Sequence, residues 1–296
     1  MTTFLELLIS GVSLGSVYAL IALGFVIIYK STEVVNFAHA SLLLAGGYIA
    51  VRAQESLGFW GGLLAGVAGA ALLGTLLETL VIRRYRGADP APLAIVTIGV
   101  DIVLLTELGR RIGPDIFTFE DPWGNALLTA GSVTVPQTRV AAFLAAALLI
   151  AVFLAAFRWT PWGLSMRAAA ENRETAALMG IRLGRVSASA WAVAGALAAV
   201  AALFLSVFPT SGLDRDTGQV ALAAFPAAII GGLDSTTGAL AGGLIVGLTE
   251  ALTTGYADEL AFLGSGFGEL APYVVMVLVL LARPSGLFGM REPSRV

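Results

Sequence analysis

The chain has 296 residues, of which 57% are hydrophobic and 12% charged, with a net charge of −3. Soluble domains carry about a quarter charged residues, so this composition, with a mean hydropathy of +0.88, cannot cover a globule of this size and places the chain in a membrane. With no Cys and one His, a disulfide framework, a thiolate metal site and clustered imidazole ligands are excluded, and no basic run suggests nucleic acid.

Residues 4–29 form the first apolar run, longer than the ~7–15 residues of a signal-peptide core, and are read as a retained membrane helix. The runs at 57–82, 140–157 and 186–208 also reach the ~17–25 residues of a spanning helix, and 93–108 is slightly short. Those at 38–51, 220–232, 238–253 and 270–282 are shorter, with Pro226 and Pro272 in or near two of them. Such interrupted pieces are predicted to be broken or re-entrant helices whose loose backbone faces protein or water. The expected architecture is an all-α polytopic membrane bundle, one domain over residues 1–296, with eight or nine spans. Residues 220–253 either cross twice or dip in and return.

Basic residues orient the bundle. With Arg83, Arg84 and Arg86 placed in the cytoplasm, alternation puts twelve Lys/Arg inside and five (Arg52, Arg110, Arg111, Arg139 and Arg215) outside. The N-terminus is then external, the C-terminus cytoplasmic, and the charged stretch 158–185 faces the cytoplasm. The outer loop 109–139 carries GPD, EDPWGN and TAGS, all turn chemistry. Residues 109–137 with 209–218 are expected to dock an external protein through Arg110, Arg111, Arg139 and Arg215.

No engine is visible in the chain. GFVIIYKS, residues 24–31, imitates a phosphate-binding loop, but Tyr29 stands where a second Gly must let backbone N–H groups wrap phosphate. Lys30 is therefore a positive-inside anchor. An ion-driven mechanism needs acids within the membrane. Glu78 lies one turn from Arg83 and is expected to snorkel or pair with it; Glu107 and Glu250 lie near outer helix ends. Asp101 sits midway along its run, where an unpaired acid costs ~3 kcal/mol, with Thr97 one turn away on the same face. The two either line a polar path or are satisfied by a neighbouring helix.

Six charges between Arg167 and Arg185 interrupt this apolar chain. Thr160-Pro161 is an N-cap followed by a first-turn proline, and Gly180 is a C-terminal glycine signal. One short helix between them would align Met166, Ala169, Ala170, Arg173, Ala176 and Ala177, with Glu171, Glu174 and Leu178 on another face. A membrane-surface helix would show bulky apolar residues against Lys/Arg. This Ala-lined face, flanked by acids, instead suits a groove on a partner protein.

The string AAAENRETAALMGI (168–181) resembles the cytoplasmic coupling loop of ABC-importer permeases, in the form found in the branched-chain amino acid permease family. GSVYALIALG (15–24), VNFAH with GGY (35–39, 46–48), IGGLDS with GALAGG (230–235, 238–243) and RPSGLFG (283–289) resemble other parts of that family in order and spacing. The likeness covers nearly the whole chain and points to the smaller permease of the high-affinity type. It implies a bacterial inner-membrane importer made with a second homologous permease, two ATPase subunits and an extracytoplasmic solute-binding protein. ATP and Mg would be bound by the ATPases, and no cofactor or catalytic residue is expected here. The implied substrates are leucine, isoleucine and valine, with relatives handling urea, short amides or other amino acids. Ala40-Ser41 depart from the Gly-then-acid that usually follows NFAH, so no role of that acid transfers.

On this reading Arg167, Glu171, Asn172, Glu174, Ala177 and Gly180 couple to the ATPase. Asn36, His39 and Ser41 either line an inner gate, or Asn36 merely caps a helix while His39 is hydrogen-bonded in an interface. Gly231, Gly232 and Ser235, at the ends of a broken helix pair, would offer unpaired N–H and C=O groups to a zwitterion; Thr97 and Asp101 complete the expected path. A self-sufficient secondary transporter is the competing reading, since it would need no coupling helix but would need its own ion or substrate site. A membrane enzyme finds no Ser/His pair or metal cluster to use.

Overall fold

The computed structural model describes residues 2–85, 90–120, 122–123, 126–130, 133–208, 212–264 and 266–289. Arg86, Arg291 and Arg295 of the basic count, residues 209–211 of the expected docking surface, and Asp121, Gly124, Asn125, Gly131 and Ser132 of the outer-loop turns lie outside the described residues. The helices are α1 Thr2–Thr32, α2 His39–Leu80, α3 Pro90–Ile112, α4 Gln137–Trp159, α5 Pro161–Glu171, α6 Arg173–Leu178, α7 Leu183–Leu205, α8 Thr217–Ala223, α9 Phe225–Gly231, α10 Thr236–Gly255 and α11 Phe267–Ala282. Among the described residues, six helical runs are long and apolar enough to cross a membrane. The protein is a helical membrane bundle.

Several runs are longer than their hydropathy suggests. The 93–108 run is a 23-residue helix, lengthened by Pro90-Ala91-Pro92 and by residues 109–112, and 238–253 is a 20-residue one, lengthened by Thr236-Thr237 and Thr254-Gly255; both are long enough to span. The runs at 38–51 and 57–82 are joined with no loop. Gly58, at φ 69° and ψ 178°, folds α2 back on itself, a conformation open essentially only to glycine. The arms lie antiparallel in backbone contact: a side chain at Gly62 would meet the Ala50 carbonyl and one at Gly66 the Gly46 carbonyl. The 220–232 run is broken as expected, into α8 and α9, and Pro272 lies inside the 16-residue α11.

The chain's contacts gather into two compact units. One contains residues 27–122 and 147–221. Its core is the α2 hairpin packed on α7, where Gly74 and Gly195 bring the helices within reach of each other's backbone and Trp191, Leu42 and Ile28 fill the space beside them. An antiparallel bridge between Phe117 and Leu213 links the chain after α3 to the chain before α8, with hydrogen bonds of 2.9 and 2.7 Å.

The other unit contains residues 1–26, 123–146 and 222–296. Here α1 crosses α10 antiparallel, Gly15 against Gly243 and Gly247, with no side chain between them. Small residues allow this approach, and packing rather than hydrophobic transfer then holds membrane helices together. The loop between α3 and α4 is more than turns. Leu127–Ala130 (β1) and Val133–Pro136 (β2) pair antiparallel, and the Thr134 N–H donates to Glu6 at 3.1 Å.

Candidate functional site

The charged segment has the ends that its sequence announces and a break that it does not. Thr160 is extended, and its hydroxyl accepts the Gly163 N–H at 3.2 Å. At the far end Gly180 takes φ 85°. The Gly180 N–H reaches the Ala177 carbonyl and the Ile181 N–H the Ala176 carbonyl, both at 3.0 Å, a complete Schellman closure. Between them, Asn172 is extended at φ −156°, so α5 and α6 are two helices rather than one. Asn172 accepts the Thr175 N–H at 2.8 Å; as a strong N-cap former it starts a new helix where its neighbours alone would have continued the old one.

The break removes the single Ala-lined face. Met166, Ala169 and Ala176 are buried, whereas Ala177 is exposed. Outward side chains gather at the end of α6: Glu171, Asn172, Glu174 and Ala177 are exposed, and Leu178 and Met179 are 87% and 79% exposed. Arg167 is not among them. Its guanidinium donates to the Phe157 carbonyl and lies over the Phe157 ring, 5.6 Å from the centroid, so its place among groove-facing residues is corrected. Arg173 likewise turns inward, to the Ser31 carbonyl.

The expected path residues separate into two places. Asn36, His39, Ser41 and Thr97 are all buried around the start of α2. The Asn36 side-chain oxygen accepts the Ala38 N–H at 3.0 Å. Asp101 Oδ1 accepts the Ser41 N–H at 3.1 Å, and Thr97 Oγ1 accepts the Phe37 N–H at 3.1 Å. α2 therefore begins against the middle of α3, which supplies the cap that Ala38 lacks. Its first turn has N–H groups without intrahelical acceptors, and at membrane depth each must be met inside the protein. Asp101 is thus satisfied by a neighbouring helix on one oxygen, and it stays partly exposed.

Gly231, Gly232 and Ser235 form the second place, and their terminal groups are not open. Ser235 Oγ accepts the Gly238 N–H at 3.0 Å. The Ile230 and Gly231 carbonyls accept the Leu287 and Phe288 N–H groups at 2.8 and 3.1 Å. The RPSGLFG loop therefore closes the end of α9, and the unpaired termini expected for a zwitterion are corrected. Gly231 and Gly238 touch backbone to backbone.

The remaining acids are paired. Glu78 is fully buried and meets Arg83 at 2.6 Å, as its spacing suggests, and Arg83 also donates to the Gly184 carbonyl at 2.8 Å. Glu107 holds both Arg110 and Arg111, at 2.9 and 2.6 Å. Glu250 accepts the Tyr18 hydroxyl at 2.8 Å. Arg139 is committed to Ser10, which removes it from the expected external docking charges. The inward arginines, the Gly184 tie and the closing loop carry no local sequence signal, because each partner lies far along the chain or is backbone.

Residues 7–282 match the family described as the branched-chain amino acid transport system / permease component. This chain belongs to that family. It is 32% identical to the high-affinity branched-chain amino acid transport system permease protein LivH of Escherichia coli (strain K12), covering 99% of this chain and 98% of the relative. It is 29% identical, over the same shares, to the permease protein BraD of Pseudomonas aeruginosa. It is 30% identical to a probable LivH permease of Methanocaldococcus jannaschii, over 93% and 89%. As a permease component it is a multi-pass inner-membrane protein and one part of a larger transport system, not an enzyme.

Proposed function

We propose that this permease is one of two homologous membrane subunits of an ATP-driven importer for branched-chain amino acids in the bacterial inner membrane. It works with two ATPase subunits, which bind ATP and Mg, and an extracytoplasmic solute-binding protein. Its N-terminus is outside, its C-terminus is cytoplasmic, and its eight or nine spans include both arms of α2. The relatives' names support the substrate class; apolar helices with few polar groups suit an aliphatic side chain.

The observation that carries the ATPase reading is the end of α6. Leu178 and Met179 are almost fully exposed beside Glu171 and Glu174, on a segment in which Arg167 and Arg173 turn inward. An isolated segment would gain by burying these apolar side chains. An ATPase groove receives them, and the two acids fix the register. Asn36, His39, Ser41, Thr97 and Asp101 flank the path, the half-exposed Asp101 offering a carboxyl group where lipid cannot lie. The test is reversal of both acids, Glu171→Arg with Glu174→Arg. Two misplaced charges against a formed groove cost on the order of several kcal/mol. Insertion should be normal, while co-purification of the ATPase and substrate-stimulated ATP hydrolysis should be lost. Normal values for both, with normal leucine uptake, would remove the coupling role.

A further inference from the structure

The two arginines that the charged segment turns inward reach the C-terminal turns of two different membrane helices. Arg173 of α6 donates to the Ser31 carbonyl, one residue before α1 ends at Thr32. Arg167 of α5 donates to the Phe157 carbonyl, two residues before α4 ends at Trp159. The last carbonyls of a helix have no intrahelical donor, and the helix dipole concentrates negative charge there. A guanidinium answers both, through a charge-assisted hydrogen bond stronger than a neutral one.

Apolar packing of the segment centres on Trp162, whose ring lies 6.0 and 6.5 Å from those of Phe153 and Phe157 in α4. The segment's buried residues are Gly163, Met166 and Ala169 in α5 and Ala176 in α6. Of these only Met166 has a side chain larger than a methyl group, and polar ties supplement this packing. One more tie, from Trp162 Nε1 to Ser189 Oγ at 2.8 Å, holds α5 to α7. Helices α1 and α4 also share a property. Each has its last turns, with its capped carbonyl, in the same unit as the segment, while residues 2–26 of the one and 137–146 of the other belong to the second unit.

We propose that Arg167 and Arg173 are positioning residues of energy coupling. They carry displacement of the α6 tip into α1 and α4 through their carbonyl caps, and these two helices continue along the chain into residues of the second unit. The proposal rests on the reading of α6 as the ATPase-docking element, and it gives these arginines a task distinct from docking. Both are tied to backbone carbonyls, so the link does not depend on the identity of the capped residue.

The experiment uses the assembled transporter in proteoliposomes, with Arg167→Gln and Arg173→Gln made singly and together and Arg173→Lys as the conservative variant. ATPase stoichiometry and basal hydrolysis should stay within twofold of the parent. Leucine taken up per ATP hydrolysed should fall at least tenfold in the double variant and less in each single one. Lys, which keeps the charge and a donor, should recover part of the loss. Hydrogen exchange at the last turns of α1 and α4 should quicken about tenfold while the middle of α7 is unchanged; this readout needs no activity and serves where a variant transports too little to measure. Unchanged uptake per ATP in a double variant that retains its ATPases overturns the proposal, as does loss of the ATPases themselves, which would make the arginines docking residues. If the parent chain does not hold the ATPases at all, the coupling reading fails before the arginines are tested.

Discussion

The end of the α9–α10 hairpin and the start of α2 solve one problem by opposite means. Each is a helix end inside a membrane protein, with backbone groups that cannot be left bare. At α9 the answer is backbone alone: the 283–289 loop lays its N–H groups on the Ile230 and Gly231 carbonyls, and glycines let α9 and α10 touch. At α2 the answer is side chains from another helix, Thr97 and Asp101 of α3, as it is at the ends of α1 and α4, where arginines serve. Backbone closure tolerates no added atom and has one geometry. Side-chain closure can lengthen, break and re-form at a cost of one hydrogen bond. Movable parts of a transporter belong where the second kind is used.

The largest expected effect comes from breaking the first kind. A methyl group at Gly242 would overlap the Ala227 carbonyl oxygen, and both helices would have to separate. Gly242→Ala should therefore cost more than about 3 kcal/mol, the upper end of overpacking penalties, and leave little folded protein by size-exclusion chromatography. Gly99→Ala, on the open side of α3 with nothing near its Cβ, is the control; it should be neutral or slightly stabilising, since Ala is the better helix former. Equal expression of the two would deny that the hairpin is closed by backbone contact.

A smaller effect tests a side-chain closure. Arg83→Gln takes the guanidinium from the fully buried Glu78 and from the Gly184 carbonyl. Removing one partner of a buried ion pair costs about 3–5 kcal/mol when the other charge remains. Adding Glu78→Gln should restore most of the loss in a thermal melt, leaving mainly the Gly184 hydrogen bond. A double variant no better than Arg83→Gln would mean that the arginine acts chiefly through α7.

Much of this was legible in order along the chain. Thr160, Pro161 and Gly180 mark helix ends by local chemistry, since a cap needs only its own neighbours. Glu78 and Arg83 are close enough in sequence to suggest their pair. Asn172 was harder, because a capping residue followed by Arg-Glu-Thr-Ala-Ala-Leu also reads as the middle of a helix. Gly58 gave no sign of a loopless reversal beyond being a glycine between two apolar runs. Arg167 and Arg173 look like surface charges until the carbonyls of Phe157 and Ser31 are placed beside them, and backbone acceptors leave no trace in composition. The RPSGLFG loop could be recognised as a string, but not as the group that closes α9.

The finest test of the comparison is Asp101, whose two oxygens separate the two roles. Oδ1 receives the Ser41 N–H, and the side chain remains partly exposed. Asp101→Leu removes the acceptor and strands that N–H, at a cost of about 1–3 kcal/mol, so α2 should loosen and the variant melt early. Asp101→Asn keeps an acceptor oxygen and changes only the charge facing a helix N-terminus, worth about 0.3–1 kcal/mol; its melting should be close to that of the parent. Transport separates what stability cannot. A residue that only caps would leave leucine uptake by the Asn variant at the parental rate. A residue that also meets the ammonium of a passing amino acid would slow uptake without loss of assembly or basal ATP hydrolysis, and that is the expected outcome, because intramembrane carboxyl groups that stay partly exposed mark polar pathways.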